Sequence, residues 1–331
     1  MQPEALNELD LTRADSGVPA SVILESSLIV QGLPWPDNLE TVLEMEEAVR
    51  GAGGMPATIA IMHGVVRIGL TPDEIEAMAR QAAPSRSPGE PPAPEPGSRF
   101  SKANRRDLSA VLSKGGNAAT TVSATLWLGR TFGPNPCVMA TGGLGGVHPG
   151  AGAAFDVSTD LDELARADGC AVVCSGFKSI LDLPATLESL ETRGVPVVGY
   201  RTDELPAFTG RSSGLKLEHR VDTPAQAARL IRVHRKLGLP GAVVLTHPVP
   251  TPDAIRRELE EAALTQALDE ARRRGIAGKA LTPFLLEAMR GATGGMSLRA
   301  NRALLVANAR VAAEIAVALK RDPSGSADES R

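Results

Sequence analysis

The stretch CAVVCSGFKSILDLP, residues 170–184, governs the reading of the whole chain. Ala171–Cys174 is an apolar run of strand length, Ser175-Gly176 breaks it, and a helical pattern runs from Pro184 to about Arg193. A second apolar run, VPVVGY at 195–200, follows. Continuous apolar strands separated by a helix mark a sheet buried on both faces. Lys178 stands just past the first strand, an ammonium at the mouth of a core.

The alternation extends outward in both directions. Ser21–Leu24 reads as a short buried strand that ends in Glu25-Ser26-Ser27. Asn38 is placed to cap a helix running to about Arg50. PATIAIMHGVVRIGL, 56–70, reads as a hairpin turning at His63-Gly64. Thr71, Pro72 and Glu74 supply an N-cap, a first-position proline and a capping box. Arg105–Leu112 and Thr121–Leu128 look helical or mixed, and CVMAT, 137–141, is a strand entering the glycine-rich TGGLGGVHPGAGA. Residues 222–238 form a capped helix and 241–250 a strand and loop. A long helix is expected from about Pro252, then two more, the last with a period near 3.6 through Leu304, Ala307, Val311, Ile315 and Leu319. This is an α/β protein with a central, largely buried sheet. Residues 1–18 read as a loose leader, 322–331 as a flexible tail, and the six prolines within 84–98 as an exposed insertion.

Composition excludes several classes. The net charge of −4 over 331 residues gives no electrostatic case for nucleic acid or an anionic membrane. Aromatics at 3% leave no stacking platform for single strands. No apolar run reaches the roughly 20 residues of a membrane span. The polar N-terminus lacks a signal-peptide pattern, and Cys137, Cys170 and Cys174 have no framework spacing, so a cytoplasmic location is expected.

Four constellations can carry chemistry. A desolvated Lys178 can attack a sugar carbonyl and form a Schiff base; the alternative is a lysine that reaches solvent or pairs with Asp182. Glu25, at the carboxyl end of a strand, can be a general acid or base, or a structural carboxylate. In residues 141–164 the glycines let a backbone approach an anion, though His148 stands where a dinucleotide fingerprint needs its third glycine. Asp156, Ser158 and Asp160 alternate on an extended segment. Asp156 can ligate a hard divalent metal, and Ser158 and Asp160 can bind sugar hydroxyls or serve as helix caps. Lys102, Arg105 and Arg106 form a basic group able to face a phosphate or a nucleobase carbonyl. The histidines have no metal-ligand spacing.

Taken together, LESSLIVQGLPWPDNLET, KANRRDL, ATGGLGGVHPGA, FDVSTDLDEL, AVVCSGFKSILDLPATLESLETRGVPVVGY and TPFLLEAMRGATGGMSLRAN resemble the pseudouridine-5'-phosphate glycosidase family, in family order over roughly 20–320. The resemblance implies a single α/β/α layered domain at 19–321 around a central mixed sheet. It implies cleavage of the C–C glycosidic bond of pseudouridine 5'-phosphate to uracil and ribose 5-phosphate, a reaction that can also run in reverse. It further implies a homotrimer and a divalent metal, typically manganese. By motif, Glu25 falls on the proton donor, Lys178 on the lysine of the covalent sugar adduct and Asp156 on the metal ligand. Lys102, Val122, Ser158, Thr159 and Asp160 fall on substrate contacts, and Asn301 on a base-binding position. Gln31, Pro149, Gly152, Phe177 and Ala307 depart from the family pattern. They put the aglycone in question and, Phe177 and Pro149 especially, keep open a related C-glycosynthase acting on a larger aromatic acceptor; whether Phe177 reshapes the site is the question they raise.

Overall fold

The computed structural model describes residues 21–82, 99–133, 135–276 and 281–321. The leader at 1–18, the proline-rich insertion at 84–98 and the tail at 322–331 lie outside the described residues. The chain runs β1 (Ser21–Glu25), α1 (Asp37–Gly51), β2 (Met55–Met62), β3 (Val65–Ile68), α2 (Pro72–Ala79), β4 (Ser101–Ala103), α3 (Leu108–Ser113), β5 (Ala118–Thr120) and α4 (Val122–Phe132). It continues through β6 (Val138–Ala140), α5 (Ala151–Ala154), α6 (Thr159–Leu164), β7 (Ala171–Cys174), α7 (Leu183–Thr192), β8 (Val197–Tyr200) and β9 (His219–Val221). It ends with α8 (Pro224–Lys236), β10 (Val243–Thr246), α9 (Arg257–Arg273), α10 (Leu281–Ala292) and α11 (Met296–Lys320).

All ten strands form one mixed sheet in the order β4-β5-β2-β1-β6-β7-β10-β8-β9, with β3 paired to β2. The pairs β2–β3 and β2–β5 are antiparallel and the rest parallel. Successive strand residues point to opposite faces, so each strand feeds two cores. Val22, Leu24, Val138, Ala140, Val173 and Leu245 pack with α1, α2, α8 and α11. Ile23, Met139, Val172, Cys174 and Val244 pack on the other face with α4, α6 and α9. The result is the α/β/α sandwich expected. The three cysteines are buried, free thiols, and burial pushes Cys174 up to about 12. No helix among the described residues is long and apolar enough to cross a membrane.

Local signals held where they were short and chemical. His63 and Gly64 take positive φ (52° and 76°), the handedness a two-residue hairpin needs. Thr71 and Glu74 make the reciprocal capping box. Two expectations fail. Asn38 does not cap α1; it sits inside the helix, fully buried, and its amide donates to Ile29 O (2.6 Å) and Ala79 O (2.9 Å). Those carbonyls would otherwise be orphaned in the core. The long helix starts at Arg257 rather than Pro252, because Ala254 and Arg256 stay extended while the buried Ile255 donates its N–H to Thr209 O (3.0 Å). β4, β5 and β9, of three residues each, carry too few positions for a period to register.

Candidate active site

A cavity of about 900 Å3 lies at the carboxyl ends of β1, β5, β6 and β7. β5 runs against β2, so it approaches from the far side of the sheet and ends facing β1. The two ends are stitched at one carbonyl: Ser26 Oγ and Thr120 Oγ1 both donate to Ile59 O, at 2.6 and 2.7 Å. Glu25 and Val122 are thereby brought to one wall.

Eight of the nine sequence-expected site residues line this cavity: Glu25, Lys178, Lys102, Val122, Asp156, Ser158, Thr159 and Asp160. The ninth, Asn301, lines a separate cavity of about 330 Å3 beside it. Glu25 is clasped by two hydroxyls: Ser27 donates to Oε2 at 2.6 Å and Thr141 to Oε1. Such a clasp fixes a carboxyl group's direction. Thr141 is itself held from behind by Asn308, fully buried, whose amide donates to Thr141 O (2.9 Å) and Ser175 Oγ (3.0 Å). Nothing in the sequence marks Thr141 or Asn308 for this task.

Lys178 does not pair with Asp182, whose Oδ1 instead accepts from Ala185 N (3.0 Å) to cap α7. Its backbone is fixed where Lys178 N donates to Leu144 O (3.1 Å) and Leu144 N to Gly176 O (3.0 Å). Lys102 lines the cavity and is exposed. Crowding by protein pushes its ammonium down, the charge of Lys178 adds to this, and Glu25 and Asp160 oppose it. Two amines and a carboxyl group therefore share one electrostatic neighbourhood.

Asp156, Ser158 and Asp160 do not alternate on an extended segment. Ser158 is the N-cap of α6, its Oγ accepting from Asp160 N (3.2 Å), so Asp160 lies in the first helical turn. Asp160 is buried and accepts from Ser123 N and Gly145 N, each at 3.1 Å. It braces the walls as well as lining them. The glycine-rich loop is likewise not an anion cradle along its length: Leu144, Gly145, Val147 and His148 all spend their N–H groups within the protein. Its glycines admit neighbours. A Cβ on Gly145 would lie 2.2 Å from Ser158 Oγ, and one on Gly143 2.6 Å from the Phe208 ring. Of the basic group, Lys102 and Arg106 line the cavity, while Arg105 turns away to the buried Glu163 (3.1 Å).

The departures from family pattern sort themselves by position. Phe177 is fully buried in the core beneath the sheet and lines neither cavity, so it does not reshape the site. Pro149 and Gly152 are exposed and also outside both walls. Ala307 lines a different cavity beside His247. Only Gln31 touches both the main cavity and its neighbour.

Among the described residues no three His, Cys, Asp or Glu side chains converge to hold a metal. Asp156 has one close companion, His148, whose Nδ1 is buried without a hydrogen-bond partner. Burial holds that imidazole below its usual range, opposed by Asp156 and aided by Lys178. One carboxylate and one neutral imidazole nitrogen suit an oxygen-loving divalent ion that keeps most of its waters; they do not suit a fully caged structural metal.

Residues 13–318 match the family model described as indigoidine synthase A like protein. A pseudouridine-5'-phosphate glycosidase of Caldanaerobacter subterraneus subsp. tengcongensis is 49% identical over 300 residues, 91% of this chain and 92% of that protein. One from Sorangium cellulosum is 44% identical over 322 residues, 97% of this chain and 96% of that protein. Among solved structures, the prealnumycin C-glycosynthase in complex with ribulose 5-phosphate superposes with a TM-score of 0.77 at 40% identity, covering 90% of this chain and 91% of that one. An indigoidine synthase A-like protein of Thermotoga maritima superposes with a TM-score of 0.81 at 36% identity, covering 93% and 96%.

Proposed function

The chain belongs to the indigoidine synthase A-like family, and on that premise we propose that it cleaves, and reversibly forms, the C–C glycosidic bond of pseudouridine 5'-phosphate, through a covalent sugar adduct on Lys178. The observation that carries this reading is the meeting of Lys178, Glu25 and Lys102 in one cavity at the carboxyl edge of the sheet. The relatives named above as pseudouridine-5'-phosphate glycosidases span nearly the whole chain.

The bond to be broken joins two carbons, so no leaving heteroatom can be protonated to release the base. Opening the sugar solves this. The C1'–O4' bond breaks as the uracil ring pushes electrons towards C1' and Glu25 gives a proton to O4'. The amine of Lys178 adds to C1' and loses a proton. The C1'–C5 bond then breaks as the nitrogen lone pair forms C=N, and C5 of uracil takes a proton. Water adds to the iminium, releasing ribose 5-phosphate and regenerating the amine. Overall one water is consumed and nothing is oxidised. Glu25, a carboxylate once it has protonated O4', lines the same cavity and takes the proton that Lys178 sheds.

The phosphate is drawn to the end of the cavity where Lys102 and Arg106 stand and where the N-terminus of α4 opens at Val122. Asp156, with His148 beside it, would hold a divalent ion such as Mn2+. That ion would supply positive charge to the sugar phosphate. Ser158, Thr159 and Asp160 hold sugar hydroxyls. The same reading carries a homotrimer, for which Phe155, 86% exposed beside Asp156, offers an apolar contact, and a cytoplasmic location in keeping with three unpaired thiols. A second reading, a C-glycosynthase for an aromatic acceptor, is favoured by the likeness to the prealnumycin enzyme.

One experiment separates the two. The protein is incubated with Mn2+, ribose 5-phosphate and uracil, and pseudouridine 5'-phosphate is sought. No product, and no cleavage in reverse, sinks the first reading. Borohydride with ribose 5-phosphate alone tests the adduct: Lys178→Ala must abolish the trapped mass increment.

A further inference from the structure

The main chain at Lys178-Ser179 divides the two cavities. Lys178 lines the larger and Ser179 the smaller. Gln31 stands on the boundary and lines both. It belongs to a π-helical turn, Leu28–Gly32, that follows Glu25 directly, a widened turn of the kind that recurs at functional sites.

The polar wall of the side cavity is biased in one sense. Glu260 is 4% exposed and forms no ion pair among the described residues. Its carboxyl group accepts from the hydroxyl of Thr209, which lines the side cavity. A hydroxyl has one proton to give. With that proton spent on Glu260, the Thr209 oxygen can only accept from the cavity side. Thr209 is therefore set to take an N–H donor. The amides of Gln31 and Asn301 add acceptors and donors on the same lining. Val30, Leu33, Phe208, Met289 and Leu298 supply the apolar remainder, where a flat ring can lie. An edge that alternates N–H and C=O satisfies this wall. A hydrocarbon aromatic edge would leave its polar groups unpaired.

We propose, resting on the glycosidase reading above, that the side cavity binds the N–H-bearing imide edge of the aglycone and that Gln31 is the residue that selects it. The test compares wild type, Gln31→Leu and Gln31→Glu on three substrates: pseudouridine 5'-phosphate and its N1-methyl and N3-methyl derivatives. Adduct trapping with ribose 5-phosphate alone runs in parallel. Gln31 is exposed, so both variants are expected to fold, and trapping reports on that directly. Gln31→Leu should lose about tenfold in kcat/KM on the parent substrate, the worth of one neutral hydrogen bond. Its preference for the parent over at least one methylated derivative should shrink by a similar factor, with trapping reduced less than twofold. Gln31→Glu, which turns the amide donor into an acceptor, should lose more on the parent and keep trapping. Unchanged selectivity in both variants, with trapping intact, overturns the inference and leaves the glycosidase reading standing. Equal losses in selectivity and trapping also overturn it, by assigning Gln31 to the sugar. A wild type that neither cleaves nor traps defeats the glycosidase reading itself.

Discussion

Replacing Gly145 by alanine places a methyl group 2.2 Å from Ser158 Oγ, 2.6 Å from Ser158 Cβ and 2.8 Å from Asp160 Oδ2. Ordinary contact begins near 3.4 Å, so Ser158 must retreat by about 1 Å. It cannot do so alone, because its Oγ caps α6 and Asp160 is tied to Ser123 N and Gly145 N. Crowding of this kind costs about 1–3 kcal/mol, and loss of the cap about 1 kcal/mol more. A total of about 3 kcal/mol lowers the melting temperature of a domain this size by roughly 5 °C. The same 1 Å displacement moves two residues assigned to the sugar, and a misplacement of that size costs about a hundredfold in kcat/KM. The control is Gly152→Ala, whose Cβ meets nothing within 4 Å; its melting temperature should stay within about 1–2 °C of wild type. Thermal melts and steady-state kinetics on pseudouridine 5'-phosphate decide the matter. If Gly145→Ala melts and turns over like wild type, the claim that this glycine exists to admit Ser158 and Asp160 is wrong.

Three further outcomes follow from the packing. Phe177→Ala should destabilise by about 3–5 kcal/mol through the cavity it leaves, seen as a lower urea midpoint, with preference among aglycones unchanged; altered preference would return Phe177 to the site. Asn308→Leu leaves Thr141 O, Ser175 Oγ and His247 Nδ1 without their partner. It should cost about 3 kcal/mol and lower kcat, because the Thr141 hydroxyl that aims Glu25 loses its support; full kcat in a destabilised variant would break that link. Burial lifts the Glu260 carboxyl group above its usual range, against the hydrogen bonds of Thr209 and Ser179. Between the ordinary and the lifted pKa the folded state holds a proton that the unfolded chain has lost, so stability falls as pH rises through that window. Glu260→Gln should flatten this slope in thermal melts taken upward from the ordinary carboxylate range, about pH 4, and parallel curves for the two proteins would count against it.

The strand ends were legible because an apolar run that stops at a charged residue has few meanings in a sheet buried on both faces. Glu25 after SVIL and Lys178 after AVVC fell where the sequence put them. The glycine-rich loop misled for a physical reason: a missing Cβ announces close approach but not what approaches. At Gly143 it is the Phe208 ring, at Gly145 Ser158 and Asp160, and at Gly146 Thr186. Anion binding and tight packing leave the same trace in a sequence. Phe177 misled in a second way. It neighbours Lys178, but a bridge between Leu144 and Phe177, with Lys178 N donating to Leu144 O, turns the two side chains to opposite sides. One goes to the core and the next to the cavity. Ser179, in the turn that Leu181 N closes on Lys178 O (3.0 Å), lines the side cavity that Gln31 also lines. Selectivity is therefore to be sought in Gln31 and the Thr209 hydroxyl that lines the same cavity, not in the residue that looked most suggestive beside the lysine.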